Sequence, residues 1–326
     1  MGNIYFSVVF YINDKHTYAN IKNKNFNKYY MNMVNLYQTI NISQNKNKCK
    51  MNLFTNKNIP DEFKNIFNEL EVEVILSQNN HLPPEGYSDM WQGTFFYIDA
   101  IEYYSKIMNN DDILIMLDPD CIVLKDFSPI LKKIQNDKVL NYQLYYPIEQ
   151  SQNGLSMLEL SNILKDESDV EAVPEVYGGE IYGFSGSIIN RFSKELELAW
   201  NMSIRRFNEN KTYFKTEEHI FTYVFYKLSY IKGNANEFIK RIWTAPIYRN
   251  VEKDDDKYII WHLPAEKNRG LIKIYKKYLK NNNNKNKLNG KQLEKVFGKI
   301  IGIPKKNIFR YSYDSLYVLA KKVVGK

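Results

Sequence analysis

Two carboxylates stand one residue apart at the end of an apolar run. The run covers residues 113 to 117 and leads into Asp118-Pro119-Asp120, after which apolar residues resume at Ile122. Carboxylates beside an apolar strand are costly unless a cation compensates them, and in an extended segment residues i and i+2 project to the same side. Two hard oxygen ligands placed in this way can share Mg²⁺ or Mn²⁺. A turn without a metal fits the tripeptide equally well when it is considered alone.

A glycine-rich segment follows in the second half of the chain. Residues 178 to 186 hold four glycines in nine positions, among them Gly179, which precedes Glu180. A strand rich in glycine lets a ligand approach its backbone closely. A bulged or bent strand without a ligand is the alternative, and the segment alone does not decide between them.

An acidic pair, Glu217 and Glu218, directly follows Thr216. Thr216 is a good helix N-cap, and the helix macrodipole favours anions in the first turn, so a purely structural role explains the pair. The functional alternative is a carboxylate that acts as a base or stabilises a cationic sugar centre.

A histidine closes the last β-type run of the chain. Residues 258 to 261 lead into His262, and Lys267 and Arg269 lie within seven residues of it. A lone histidine at a strand end is more often structural than a metal ligand. The neighbouring basic side chains can bind phosphate, which favours a place in a site.

The elements that must position these residues form a regular pattern in the first half. Apolar runs rich in β-formers alternate there with segments of helical periodicity. The predicted strands cover residues 4 to 12, 51 to 55, 72 to 76 and 113 to 117, and the helices cover residues 29 to 40, 61 to 70 and 89 to 108. This alternation predicts a parallel, Rossmann-like sheet, in which ligands bind at the carboxyl ends of the strands.

The second half is less regular. We predict helices over residues 128 to 135 and 192 to 207 and a strand over residues 139 to 146. Residues 149 to 173 are polar and carry clusters of Asp and Glu, which indicates a surface excursion with one helix.

Composition places the chain among folded globular proteins. Of its 326 residues 44% are hydrophobic and 15% aromatic. No run approaches the about 18 to 20 apolar residues of a membrane-spanning helix. Cys49 and Cys121 lie in apolar surroundings and predict buried free thiols in a reducing compartment. We therefore expect a cytoplasmic protein.

Much of the basic excess falls after residue 270. The net charge is +8, but lysine is interspersed with asparagine almost everywhere, so we attribute the excess to biased composition and expect no nucleic-acid partner. Residues 293 to 301 and 316 to 324 are basic and amphipathic and follow a Lys-Asn linker at residues 281 to 287. A helical cap on the main domain and peripheral docking on anionic lipid both explain them. We assign residues 1 to 275 to a catalytic domain and residues 276 to 326 to a basic C-terminal helical extension.

Taken in order, the Asp-X-Asp after a strand, the glycine-rich strand, the acidic pair and the late histidine with a following lysine resemble glycosyltransferases of the GT-A fold. The resemblance covers about residues 4 to 270 and is strongest to the glycogenin and lipopolysaccharide galactosyltransferase type. It implies an α/β fold with a mixed central sheet and helices on both faces. It also implies Mn²⁺ or Mg²⁺ and a nucleotide-sugar donor, which we expect to be a UDP-hexose.

The same resemblance implies roles for the residues around the metal. Asp118 and Asp120 would hold the metal and the ribose, and His262 would complete the metal site. Lys267 would bind the diphosphate. The family pattern His-X-X-Gly-X-X-Lys-Pro-Trp has no counterpart Gly or Pro-Trp here, and the His-to-Lys spacing is five residues, so Arg269 competes for that role.

At the sugar end, Glu217-Glu218-His219 stands where the family has Asp-Gln-Asp, and Gly178-Gly179-Glu180 stands where it has Asn-Ala-Gly. The glutamate in place of the amide leaves retention or inversion open. Tyr11, near the end of the first strand, is a candidate for contact with the nucleobase.

The predicted function is transfer of a hexose from a nucleoside diphosphate sugar to a glycan or glycolipid. A nucleotidyltransferase that makes sugar nucleotides is an alternative, but it needs a glycine-rich basic loop after the first strand, which residues 13 to 16 do not supply. A non-catalytic protein that binds sugar nucleotides or nucleic acid is the other alternative. The sugar, the acceptor, the linkage and the oligomeric state do not follow from the sequence.

Overall fold

The computed structural model describes residues 2–12, 26–43, 49–88, 91–230, 233–282 and 290–306, and positions 308, 310–312, 314–316 and 318. The chain divides into two compact units. The first unit comprises Met1–Asn25, Lys48–Asp118 and Ser128–Asn236, and the second comprises Phe26–Asn47, Pro119–Phe127 and Glu237–Lys326.

The strands of the described residues are β1 (Ile4–Phe10), β2 (Cys49–Thr55), β3 (Val72–Leu76), β4 (Ile113–Leu117), β5 (Cys121–Val123), β6 (Val139–Gln143), β7 (Tyr177–Ser185), β8 (Ile239–Arg241) and β9 (Ile260–His262). The helices up to residue 301 are α1 (Asn27–Ser43), α2 (Asp61–Glu69), α3 (Phe96–Ile107), α4 (Ser128–Asp137), α5 (Met157–Ser168), α6 (Gly186–Asn208), α7 (Glu217–Lys227), α8 (Gly270–Asn282) and α9 (Gly290–Ile301). Within the described ranges, 3₁₀ turns cover Gln92–Phe95, Asp255–Lys257 and Pro264–Glu266.

The first unit is built on a six-stranded sheet with the order β3-β2-β1-β4-β7-β6. Strands β1 to β4 are parallel, as predicted, whereas β7 is antiparallel to both β4 and β6. Every residue of β1 and β4 is buried. A strand that is covered on both faces carries mostly apolar side chains on both, which explains the near-continuous apolar runs in the sequence. The antiparallel β7 brings its first residues beside the carboxyl end of β4.

The helices of the first unit extend the predicted pattern. Helix α6 begins at Gly186 rather than at residue 192, with Ser185 as its N-cap. A Cβ at Gly186 would lie 1.9 Å from the carbonyl oxygen of Asn109, so only glycine fits at this start. The polar excursion carries one helix, α5, which starts with a Ser156–Glu159 capping box. Residues 89 and 90 of the predicted helix before β4 lie outside the described residues.

A buried histidine ties the segment between β3 and α3 to two helices. His81 Nδ1 lies 3.1 Å from Asp99 of α3, and its Nε2 lies 2.8 Å from Glu197 of α6. Burial alone would lower the pKa of His81, but its hydrogen bonds to the two carboxylates outweigh burial and raise that pKa above 6.5. This ion-paired contact fixes the start of the segment that leads to Thr94.

The second unit contains the three-stranded sheet β5-β9-β8, in which β5 is antiparallel and β8 parallel to β9. Helix α1 is attached to this sheet. The Val123 N–H donates to Thr39 Oγ1 at 3.0 Å, and Ser43 Oγ donates to the Val123 carbonyl at 3.0 Å. The late strand of this sheet begins at Ile260 and ends at His262, so it starts two residues later than predicted.

Part of the predicted C-terminal extension belongs to the core of the second unit. Leu293, Phe297 and Ile301 of α9 are buried in one cluster with Trp261 and Leu271. The proposed boundary between residues 275 and 276 falls inside α8, and the two-domain assignment stays a prediction. Residues 283–289, 317 and 319–324 of the predicted linker and last segment lie outside the described residues.

Two further expectations concern the cysteines and the membrane. Cys49 and Cys121 are both buried free thiols, as predicted. Among the described helices, none combines the length and the apolar composition needed to cross a membrane.

Candidate active site

The chain passes from one unit to the other within Asp118-Pro119-Asp120. Strand β4 ends at Leu117, and the Asp118 N–H donates to the Glu180 carbonyl of β7 at 3.1 Å. In the second unit, the Asp120 carbonyl accepts from the Leu263 N–H at 3.1 Å. Each aspartate is thus held by a backbone hydrogen bond to its own unit.

In the second unit, Asp120 forms a buried cluster with His262 and Lys267. Cys121 pairs with His262 across β5 and β9, which brings the imidazole next to the preceding residue, Asp120. The Asp120 side chain is fully buried, and its Oδ2 lies 3.3 Å from His262 Nε2 and 3.3 Å from Lys267 Nζ. Burial would raise the pKa of Asp120, but the charges of Lys267 and His262 outweigh it and hold that pKa below its ordinary value. The carboxylate is therefore ionised inside the protein.

This cluster suits a divalent metal ion. Both carboxylate oxygens of Asp120 are buried, and neither accepts a well-formed hydrogen bond from a described residue. A carboxylate oxygen beside an imidazole nitrogen favours Mn²⁺ over Mg²⁺ or Ca²⁺. Lys267 and His262 supply only part of what the buried Asp120 carboxylate needs, since its oxygens can accept up to four hydrogen bonds.

Lys267 belongs to a short turn between the Pro264–Glu266 3₁₀ turn and α8. Asn32 Nδ2 of α1 donates to the Lys267 carbonyl at 3.4 Å, and the Arg269 N–H donates to the Glu266 carbonyl at 2.9 Å. The structure places the Lys267 ammonium on Asp120. Arg269 follows two residues later in the same turn.

In the first unit, Glu217 is a buried carboxyl at the start of α7. Its side chain is only 6% exposed, and its N–H lies 3.5 Å from Thr94 Oγ1. Thr216 is the N-cap residue, as predicted, but its side chain makes no capping hydrogen bond. Burial, followed by the charges of Glu218 and Asp118, raises the pKa of Glu217 to about 8. Glu217 is therefore mostly protonated at neutral pH and can donate a hydrogen bond.

Glu218 has a different environment from its neighbour. Its Oε1 accepts from the Gly179 N–H at 3.0 Å, and its Oε2 accepts from Asn153 Nδ2 at 2.9 Å. Hydrogen bonds of this kind stabilise the ionised form of a carboxylate. The acidic pair thus offers one group that can donate a proton and one that accepts hydrogen bonds.

Gly179 makes room for this pair. A Cβ at Gly179 would lie 2.8 Å from Glu217 Oε1 and 3.9 Å from the Tyr182 hydroxyl. The Tyr182 hydroxyl is buried and has no hydrogen-bond partner among the described residues. Glu180, the next residue of β7, is 1% exposed. Several polar groups therefore converge above the glycine-rich start of β7.

His219 supports Glu218 through Asn153, a residue that the sequence did not reveal. His219 is buried, its Nε2 donates to the Gln152 carbonyl at 3.0 Å, and its Nδ1 faces Thr216 Oγ1 at 3.2 Å. Burial lowers the pKa of His219 to about 4, so the imidazole is neutral. The contact holds the turn in which Asn153 reaches Glu218. The Asn-Gly pair at residues 153 and 154 is a turn signal, but it gives no indication of which element the turn will contact.

Tyr11 lies directly after β1, and its ring packs on Phe96 with a centroid distance of 5.5 Å. A Cβ at Gly93 would lie 2.7 Å from Tyr11 Cδ1, so Gly93 makes room for this ring. Packing accounts for the position of Tyr11, and its contact with a nucleobase stays a prediction.

Comparisons with known proteins identify the fold. No protein-family model matches the sequence, and no curated protein matches it significantly. Among solved structures, the bifunctional glycosyltransferase WbbM in its apo form is 12% identical, with a TM-score of 0.54 over 80% of this chain and 45% of the WbbM chain. This chain therefore spans less than half the length of WbbM.

The galactosyltransferase LgtC also matches. Its complex with donor and acceptor sugar analogs is 10% identical, with a TM-score of 0.50 over 79% of this chain and 86% of LgtC. An active-site variant of LgtC with glutamate in place of glutamine is 10% identical, with a TM-score of 0.53 over 85% of this chain and 95% of LgtC. Identities this low establish the fold alone. The predicted fold class is confirmed: the chain has the GT-A fold of nucleotide-sugar glycosyltransferases and resembles LgtC in structure.

Proposed function

We propose that the protein is a metal-dependent glycosyltransferase that moves a hexose from a nucleoside diphosphate sugar, with UDP as the nucleotide, to a glycan or glycolipid acceptor. The observation that carries the proposal is the buried Asp120–His262–Lys267 cluster in a chain with the GT-A fold. The cluster combines metal-ligand chemistry with a cation that can bind phosphate.

The proposed metal is Mn²⁺ or Mg²⁺, with Asp118, Asp120 and His262 as its ligands and with Asp118 also at the ribose. When bound, such an ion neutralises charge that grows on a diphosphate leaving group. Asp120 is ionised before any ligand arrives, because Lys267 and His262 hold its pKa low. His262 supplies the nitrogen ligand that favours Mn²⁺.

Lys267 and Arg269 are the proposed ligands of the diphosphate. Both are in the turn before α8, and the Lys267 side chain is 13% exposed and paired with Asp120. Cations fixed beside a leaving group lower the reaction barrier strongly, because they need not reorganise when the negative charge develops.

At the sugar end, we assign complementary roles to the acidic pair. Glu217, protonated at neutral pH, donates a hydrogen bond to a sugar hydroxyl, and Glu218 accepts one or stabilises positive charge at the sugar ring. Gly179 and Glu180 would line the donor sugar through their backbone. Tyr11 is the proposed nucleobase contact.

The test combines the protein and Mn²⁺ with a panel of nucleotide sugars and records hydrolysis, transfer and thermal stabilisation. One UDP-sugar should be hydrolysed and should stabilise the fold. Asp120→Asn should abolish Mn²⁺-dependent turnover, and Asp254→Asn, at an exposed carboxylate of the same unit, should leave it unchanged. Undiminished turnover in Asp120→Asn would contradict the metal assignment.

The same panel separates the alternatives. Release of pyrophosphate from a nucleoside triphosphate and a sugar phosphate would show a nucleotidyltransferase. Binding of a UDP-sugar without turnover would show a non-catalytic protein, and strongly salt-dependent affinity for DNA or RNA would show a nucleic-acid binder.

A peripheral membrane contact is a further part of the proposed setting. Ile308, Tyr311 and Leu316 are 78%, 60% and 66% exposed, and the segment that carries them also carries Lys305. Exposed apolar side chains next to lysines suit the surface of an anionic bilayer. Sedimentation with anionic vesicles, but not with neutral ones, is expected, and Tyr311→Ser should weaken it.

A further inference from the structure

Glu266 is a fully buried carboxylate directly before Lys267. Its Oε2 accepts from the Gly270 N–H at 2.9 Å, and its backbone carbonyl accepts from the Arg269 N–H at 2.9 Å. The Thr244 hydroxyl also bonds to Oε1. Residues 266 to 270 therefore form a closed turn that contains both basic side chains assigned to the diphosphate.

Arg310, from the C-terminal segment, holds this carboxylate with two hydrogen bonds. Its Nη2 lies 2.7 Å from Glu266 Oε1, and its Nη1 lies 3.2 Å from Oε2. Arg310 is only 8% exposed, and its Nε donates to Asp314 at 3.2 Å. Lys306 pairs with Asp314 on its other oxygen at 2.5 Å. The guanidinium thus has a fixed orientation on both sides.

A buried ion pair of this kind specifies geometry more than it stabilises. Replacing both charges by apolar groups is often neutral for stability, because desolvation cancels most of the attraction. A two-pronged contact between a guanidinium and a carboxylate nevertheless fixes distance and orientation together. The fixed group here is the residue that closes the turn carrying Lys267.

We propose that Arg310 is a positioning residue: its bidentate pair with Glu266 fixes the turn at residues 266 to 270 and thereby holds the Lys267 ammonium at Asp120. The 3.3 Å contact between Lys267 Nζ and Asp120 Oδ2 is the geometry that this pair maintains. The C-terminal segment thus contributes a residue that positions the site. The consequence for nucleotide binding rests on the proposed function, whereas the positioning of Lys267 does not.

The direct test measures the accessibility of the Lys267 amine. The metal-free protein is treated with a limiting amine-acetylating reagent, and acetylation of Lys267 is followed by mass spectrometry. Three variants are compared with the wild type: Arg310→Lys, Arg310→Met, and the double variant Glu266→Gln/Arg310→Met, which leaves no uncompensated buried charge. Lys305→Met is the matched control, because it removes an exposed cation from the same segment and leaves Glu266, Arg310 and Asp314 in place.

Acetylation of Lys267 should be roughly tenfold faster in the three variants, because the Lys267 ammonium would lose its charge contact with Asp120, and unchanged in the control. Equal rates in the wild type and in every folded variant would overturn the proposal. Loss of folding in all three variants, judged by circular dichroism, would also overturn it, because Arg310 would then be a purely structural residue.

A second measurement separates this proposal from the proposed function. Calorimetry with UDP and Mn²⁺ should show that the affinity for UDP is weakened roughly tenfold in the same variants. Of the three, Arg310→Lys should keep the highest affinity for UDP. Faster acetylation with unchanged UDP affinity would support the positioning role and refute the role of Lys267 at the diphosphate.

Discussion

The Glu217 carboxyl gives a prediction that needs no substrate. Its pKa of about 8 lies above the ordinary value of 4.5 because burial and two neighbouring carboxylates disfavour its charged form. The unfolded chain loses this proton near pH 4.5, whereas the folded chain keeps it until about pH 8. Each pH unit in that interval therefore removes up to about 1.4 kcal/mol from the free energy of unfolding.

Glu217→Gln replaces the carboxyl by a neutral group of the same shape, so the stability of the variant should not fall with pH in this way. Its stability should equal that of the wild type to within about 1 kcal/mol at pH 5 and exceed it by about 2 to 4 kcal/mol at pH 8. The lower figure allows for a proton that is shared with Glu218. Urea unfolding of the chelator-treated protein at several pH values measures the difference.

Glu218→Gln is the matched control. Glu218 accepts hydrogen bonds from Gly179 and Asn153, and the variant keeps only one carbonyl oxygen to accept them, so it should be less stable than the wild type. A gain for Glu217→Gln that is the same at pH 5 and at pH 8 would refute the reasoning. A Glu217→Gln variant that is less stable than the wild type at pH 8 would also refute it.

Three further perturbations follow from the geometry. Gly179→Ala should lower the free energy of unfolding by about 1 to 3 kcal/mol, because its Cβ meets the Glu217 carboxyl. The double variant Gly179→Ala/Glu217→Asp should recover part of that free energy in urea unfolding. The stabilisation from the raised pKa of His81 should be complete below about pH 6.5 and lost as the pH rises above the folded-state value, and a His81→Gln variant that keeps this dependence would contradict the assignment. Lys267→Met should lower the free energy of unfolding of the chelator-treated protein by about 3 to 5 kcal/mol, because Asp120 loses a charge partner. In a double-mutant cycle, the double variant Lys267→Met/Asp120→Asn should recover most of that free energy.

The parallel half of the sheet was predictable because β1 and β4 are apolar runs whose length matches a buried strand, and β2 and β3 are short runs rich in β-formers. The start of α6 was not, since Gly186 looks like a strand residue and is required by a contact with Asn109, far away in sequence. Nor does the local pattern show that α1 packs on β5 and α9 on the core around Trp261. Those placements depend on long-range packing, which hydrophobic periodicity does not encode.

For the site, the sequence indicated which residue types carry chemistry but not how they differ from one another. Glu217 and Glu218 are adjacent and chemically identical, yet one is buried among carboxylates and the other accepts two N–H hydrogen bonds. The glycine-rich strand suggested close approach of a ligand, and the structure shows that Gly179 leaves space for a protein carboxyl. Arg310 carries no motif, and only tertiary structure connects it with Glu266.

The Asp118-Pro119-Asp120 turn has a consequence for chain length. Its two ends are held by separate backbone hydrogen bonds, one to Glu180 and one to Leu263, with a single proline between them. Pro119 has no N–H, so it donates to neither anchor. A residue inserted or deleted between the two anchors therefore changes the length of the link without removing either hydrogen bond, and its effect falls on the spacing along the chain between Asp118 and Asp120.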